Sequence, residues 1–106
     1  MTDTRLPEQW LMHRELDKLS HPAWRVLTRA LMYCNSQGTD GEIEEIYLRH
    51  IYPWSDDPTP HLVEIVEIGW MIRTTTGYLI PDWEKKGQST AAEMAEAREK
   101  NRLKQR

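Results

Sequence analysis

The chain has 106 residues and a formal charge of −3, which supports one domain with a thin core and excludes indiscriminate attraction to polyanions, though local charge still decides a contact. Cys34 is the single cysteine, so an internal disulfide is excluded and a reducing, cytoplasmic setting fits. No apolar run is long enough for a bilayer span or a signal sequence, so no membrane partner is expected.

The first eight residues are polar, contain Pro7, and read as a flexible N-terminal arm (1–8) ahead of a domain expected over 9–88. Gln9-Trp10-Leu11-Met12 reads as a short edge strand. Ser20-His21-Pro22 then opens a helix: Ser20 caps free backbone N–H groups, and Pro22 in the first turn loses no hydrogen bond. Ala23, Leu27, Ala30, Leu31 and Cys34 follow at helical spacing as one apolar stripe, and Gly38 is placed to stop it. Thr39-Asp40-Gly41 has turn chemistry. Ile43, Ile46, Tyr47, His50 and Ile51 share a helical face and predict a second, short helix ending before Pro53. The connector carries Pro53, Pro58 and Pro60, and either Asp57 with Pro58 or Thr59 with Pro60 makes a cap and first turn for a third helix.

Residues 62–83, LVEIVEIGWMIRTTTGYLIPDW, are the most informative stretch. The third helix turns Leu62, Ile65 and Val66 inward and stops at Gly69. Trp70-Met71-Ile72-Arg73 predicts a strand, Thr74-Thr75-Thr76-Gly77 its turn, and Tyr78-Leu79-Ile80 the return strand. Two helices, a third helix and a polar-tipped hairpin are the element order of an α+β winged helix, a three-helix helix-turn-helix core with a β-hairpin wing. Beyond it, Thr90-Ala91-Ala92-Glu93 matches a capping box and residues 89–106 predict a charged C-terminal helix or tail with high helix propensity.

Charge is unevenly spread. Residues 36–70 hold eight acids against Arg49 alone, whereas residues 98–106 hold five bases against Glu99 alone. In the wing, Arg73 leads into Thr74, Thr75 and Thr76, whose hydroxyls and amides suit phosphate contacts, and Lys85-Lys86 follow the return strand. Threonines equally suit any solvent-facing hairpin. Arg98, Lys100, Arg102, Lys104 and Arg106 stand two residues apart, which in a helix winds charge around the axis; as a flexible tail they would neutralise phosphates. The alternative is a solvated helix end complementing its own dipole. Trp24, Trp70 and Trp83 neighbour core positions, while Trp54 in the connector either covers the core or offers an aromatic contact to a partner. Together with Glu44, Glu45, Asp56 and Asp57 it is the candidate protein-interaction patch. His13, His21, His50 and His61 lack metal-ligand spacing, Cys34 falls on a buried stripe, and no phosphate loop exists. No catalysis, metal, cofactor or small-molecule substrate is expected.

The chain resembles small winged-helix proteins of bacteria and bacteriophages, including the N-terminal domains of replication initiators (replisome organisers) of actinobacterial phages. The matching pieces are Leu19-Ser20 with Ala23, Thr39-Asp40-Gly41, Leu62-Val63-Glu64 running to Gly69-Trp70, and Gly77-Tyr78-Leu79-Ile80-Pro81-Asp82-Trp83. They are packing and turn features rather than catalytic signatures. The resemblance implies double-stranded DNA as partner, with the third helix in the major groove and the wing beside it, in replication or transcription control. It also implies that such a chain is often longer than this one. The third helix departs from the pattern: its outward face is expected to carry His61, Glu64 and Ile68, and no Arg or Lys lies between Tyr52 and Ile72. DNA contact is therefore expected from Arg73 to Thr76, Lys85-Lys86 and the basic tail, with His61 and Glu64 as secondary base readers, and with a homodimer supplying two half-sites. The alternative is a protein–protein module for replisome assembly or oligomerisation, with an acidic partner-binding face and no direct DNA reading. DNA mimicry through the acidic face is a third, weaker reading.

Overall fold

The computed structural model describes residues 4–104. Its organising element is the long helix expected after Ser20. With α1 as the single turn Arg14–Asp17 before it, this helix is α2 (His21–Gln37). Ser20 Oγ accepts from the Ala23 N–H at 3.2 Å and Pro22 occupies the first turn. Gly38 ends the helix at φ 65°, a conformation free of Cβ strain in glycine, and its N–H reaches the Cys34 carbonyl. The inward stripe of Ala23, Val26, Leu27, Ala30, Leu31 and Cys34 is 0–1% exposed.

Upstream, Glu8–Met12 forms a 3-10 turn and not the edge strand predicted for Gln9-Trp10-Leu11-Met12. Burial there is one-sided: Trp10 is buried, whereas Leu11 and Met12 are 80% and 84% exposed, so no alternating face exists for a sheet to use. Trp10 instead meets Trp70 edge-on, ring centroids 4.9 Å apart. The turn α1, which sequence patterning does not signal, is capped by His13, whose Nδ1 accepts from the Leu16 N–H.

Ile43, Ile46, Tyr47, His50 and Ile51 do not form one helix. The chain leaves the Thr39-Asp40-Gly41 turn as strand β1 (Glu42–Glu44), passes through a 3-10 turn (Glu45–Tyr47), and makes one helical turn, α3 (Leu48–Ile51). The shared helical face is coincidental. Glu42-Ile43-Glu44 alternates exposed, buried, exposed, which is the strand period, and Ile46 is 74% exposed.

Helix α4 (Thr59–Glu67) starts where the Asp57 carboxylate accepts from the Thr59 N–H and hydroxyl, at 3.0 and 2.7 Å. Leu62 and Ile65 are buried, and Val66 and Ile68 pack against the core, so Ile68 is not on an outward face. Trp70 and Met71 are buried but pair with no residue of the return strand, so β2 is shorter than predicted, Ile72–Arg73; its partner β3, Gly77–Leu79, starts one residue before the predicted Tyr78-Leu79-Ile80 and ends before Ile80. The antiparallel sheet runs β1-β3-β2, with Tyr78 opposite both Ile43 and Arg73. Gly77 is required by close approach: a Cβ there would stand 2.1 Å from the Ile43 carbonyl oxygen and 2.9 Å from Glu44 Cα.

After the hairpin, Trp83 is buried and its Nε1–H donates to the Ser89 carbonyl at 2.9 Å. Gln88, 2% exposed, accepts from the Arg5 N–H at 3.1 Å and donates to the Arg5 carbonyl at 2.7 Å. The same Gln88 oxygen takes a bond from buried Asn35 at 3.0 Å. The described part of the arm is thus joined to the domain at Arg5. Helix α5 (Ala91–Lys104) is capped by Thr90, whose Oγ1 accepts from the Glu93 N–H, and by Asp40, which accepts from the Ala91 N–H at 2.6 Å. Met94 anchors its first turn at 6% exposure, and residues 95–100 and Arg102 beyond it are exposed. The architecture is α+β: five α-helices and a small three-stranded antiparallel sheet among the described residues.

Replacing Gly77 by alanine forces β1 and β3 apart. Thermal unfolding of the G77A chain should reveal a loss of about 1–3 kcal/mol, the usual cost of overpacking; an unchanged melting curve would contradict this account of the sheet.

Candidate nucleic-acid interface

The tip of the β2–β3 hairpin is presented as expected, but its base is already engaged. Thr75 and Thr76 are exposed, while Thr74 is half-buried with its Oγ1 accepting from the Gly77 N–H at 3.0 Å. Arg73 donates to the Gly77 carbonyl at 3.2 Å and to Glu45 Oε2 at 3.3 Å, and its guanidinium lies 4.9 Å from the Tyr78 ring centroid. Register explains this, since Arg73 and Tyr78 are directly opposed across the hairpin. The Glu45 pair is solvent-exposed and correspondingly weak. Arg73 can therefore exchange Glu45 for a phosphate at small cost.

The two lysines after the hairpin have separate environments. Lys85 is exposed. Lys86 is half-buried: its ammonium lies 4.8 Å from the Trp70 ring centroid and donates to the Pro81 carbonyl. Burial pulls its pKa below the ordinary lysine range, with Asp82 opposing that shift. Lys86 closes one side of the Trp70 packing, and Lys85 is the lysine that faces solvent.

His61 and Glu64 do not project outward. The Glu64 carboxylate accepts from the Ser20 N–H at 2.8 Å and from the Ser20 hydroxyl at 2.7 Å, so it ties α4 to the N-terminus of α2. These bonds hold its pKa below the ordinary glutamate range. His61 sits beside Glu64, with Nδ1 shielded from solvent 4.0 Å from Glu64 Oε2. The helical register that suggests outward placement is correct in period but rotated, because the Ser20 cap lies where solvent is expected. The exposed residues of α4 are Thr59, Pro60, Val63 and Glu67. None is a base.

On α5, Arg98, Lys100 and Arg102 are exposed; Lys100 pairs with Glu96 at 3.4 Å and Arg102 with Glu99 at 2.5 Å. Lys104 is the last residue of the helix, and Arg106 lies outside the described residues. The acidic patch is also largely engaged: Glu45 pairs with Arg73, Asp56 accepts from the Tyr52 hydroxyl at 2.5 Å, and Asp57 accepts from the Thr59 N–H and hydroxyl, leaving Glu44 exposed on β1. The Tyr52 hydroxyl is held protonated to higher pH by that bond.

Trp54 is 39% exposed, lies against the arginines of α2, and shares a cleft with Asp56. The Arg25 and Arg29 guanidiniums stand 4.5 and 5.3 Å from its ring centroid, and Tyr52 meets it edge-on at 4.9 Å. Arg29 also donates to the Ile51 and His50 carbonyls at 2.9 and 3.2 Å, closing the end of α3. Sequence reasoning passed over Arg25 and Arg29. Their spacing of four, on the side of α2 away from its apolar stripe, is the signal that identifies them. Burial raises the Cys34 thiol to about 11, a poor nucleophile. Among the described residues no cluster of three metal-ligating side chains occurs, and no helix is long and apolar enough to cross a membrane.

Comparison of the chain with protein-family models, with curated proteins and with solved structures finds no match.

The Glu64 clamp makes stability depend on pH with a defined sign. Its folded pKa is depressed, so the contribution is fully present above the ordinary glutamate range and is lost as pH falls through the lower folded value. Chemical denaturation at a series of pH values should show this acid-side loss in the native chain. A Glu64→Gln variant should lose about 1 kcal/mol near neutrality and have a flatter acid limb. Parallel profiles for the two proteins would refute the clamp.

Proposed function

We propose that this chain is a DNA-binding protein with a winged-helix fold, a binding module and not an enzyme, serving replication or transcription control. The observation that supports it most is the element order, with β1 between α2 and α3, and the β2–β3 hairpin that completes the β1-β3-β2 sheet emerging directly after α4 with an exposed threonine tip. That is the order in which a winged helix sets a hairpin beside its third helix. Duplex DNA is contacted by Arg73, Thr75, Thr76 and Lys85, and by the α5 bases Arg98, Lys100 and Arg102. Thr74 and Lys86 act by holding the hairpin and Trp70 in place. His61 and Glu64 position α4 rather than read bases.

A second reading rests on one observation of its own. The exposed face of α4 offers Val63, 46% exposed, with Pro60 and Glu67 and no base. A helix face of that composition suits a protein contact better than a phosphate backbone, which needs positive charge. On this reading the domain joins a replisome partner or a second copy of itself through α4.

Fluorescence anisotropy with duplex DNA, titrated across salt, separates the two. The native chain should bind, with affinity falling as salt rises. Thr75→Glu combined with Lys85→Glu should weaken binding at least about tenfold, as should reversal of Arg98, Lys100 and Arg102. No duplex binding even at low salt, alongside a defined oligomer, would overturn the DNA reading in favour of the protein module.

A further inference from the structure

We propose that the outward side of α2, with the residues that cross it from α3 and the connector, is a binding strip for single-stranded nucleic acid. The strip uses none of the residues invoked for the wing or α5. Its elements are Trp54, Arg25, Arg29, Tyr33, Tyr47 and His50, drawn from separate parts of the chain. At one end, Trp54 and Tyr52 meet edge-on beside an open cleft of about 410 Å³ that His21 and Arg25 also line. At the other, Tyr33, Tyr47 and His50 stand with centroids 5.8 to 6.5 Å apart around an open cleft of about 720 Å³. Tyr33 and His50 are nearly parallel, 7° between planes, and Tyr47 is 42% exposed. Arg29 joins the two ends, lining the larger cleft while its guanidinium lies over Trp54. The strip runs along a helix of 17 residues, roughly 25 Å.

Its chemistry selects the occupant. Exposed aromatic faces gain free energy when flat rings cover them, and the bases of an unpaired strand supply such rings, whereas a duplex hides its bases in the stack. Arg25 is an exposed cation at the strip, with His21 and His50 lining its two clefts. The acids there are few: Asp56 is bonded to the Tyr52 hydroxyl, and Glu44 lies near Tyr33. In a chain of net charge −3, arginines and partly exposed rings lie together along this side, the combination on which single strands stack and track. An acidic peptide would satisfy the cations but add no flat partner to the exposed Tyr47 and His50 rings.

The test is anisotropy of fluorescein-labelled oligo(dT) with the full chain at low salt, with unlabelled duplex and poly-glutamate as competitors. Trp54→Ala and Tyr47→Ala should each weaken binding about five- to hundredfold, the range for losing one stacked base. Arg25→Glu should weaken it as well, and Lys18→Ala, an exposed base on α1's flank, should leave it unchanged. Circular dichroism melts that match the native chain keep a loss of binding from being a loss of fold. Unchanged affinity in the Trp54→Ala, Tyr47→Ala double variant would overturn the proposal. So would absence of oligo(dT) binding, with or without capture of poly-glutamate. Duplex binding without strand binding would sink the strip and leave the wing reading intact; strand binding without duplex binding would do the reverse.

Discussion

The buried stripe of α2 is the constraint on which every other element depends. Leu27 and Leu31 alternate with the small Ala23 and Ala30, so the helix presents both ridges and recesses. Ile43 from β1, Ile51 from α3, and Leu62 and Ile65 from α4 are all 0–1% exposed in the same cluster. Each such side chain contributes about 1.5–3 kcal/mol by burial. In a chain this size the core is thin, and elements as short as the single turn α3 persist because they close it.

Polar groups near that core secure its ends. Glu64 joins α4 to the cap of α2, Arg29 joins α2 to the end of α3, and Gln88 joins Arg5 to Asn35. Each bond spans elements distant in sequence, so it fixes relative orientation, which apolar contacts leave looser. These side chains are all charged or amide-bearing, the same types that sequence reasoning assigns to ligand contact. The fold draws on that inventory first, and what remains exposed is the better guide to function.

Much of the architecture was legible because local chemistry and tertiary packing agree. Ser20, Pro22 and Gly38 bound α2 by rules that hold within one helical turn, and the hairpin follows from strand composition around a threonine turn. The region after Gly41 misleads for a definite reason. Ile43 is the one buried side chain of β1, opposite Tyr78, and an alternation of only three residues is too short to outweigh the helical spacing of the apolar residues that follow. Gln9-Trp10-Leu11-Met12 misleads in the opposite sense, since its apolar composition imitates a strand while only Trp10 finds a burial site. At the candidate site, the exposed threonines and Lys85 were legible as surface features. The positions of Lys86, Glu64 and Trp54 were not, because each depends on an aromatic ring, a cap or an arginine contributed from elsewhere in the chain.

The distribution of charge constrains how such a molecule could hold a polyanion. Arg73 is matched by Glu45, Lys100 by Glu96 and Arg102 by Glu99, all at the surface. Any phosphate must displace a carboxylate at these positions, so the net gain per contact is smaller than for an isolated base, and long-range attraction is weak at a net charge of −3. In the proposed complexes, contacts that do not depend on charge would carry more of the binding. Hydroxyls and amides at the hairpin tip and half-exposed rings along α2 are of that kind, and their contribution persists at ionic strengths that erase surface ion pairs. On the proposed reading, a domain built this way would gain discrimination by shape and stacking, because every nucleic acid offers phosphates and only some offer the right faces to its rings.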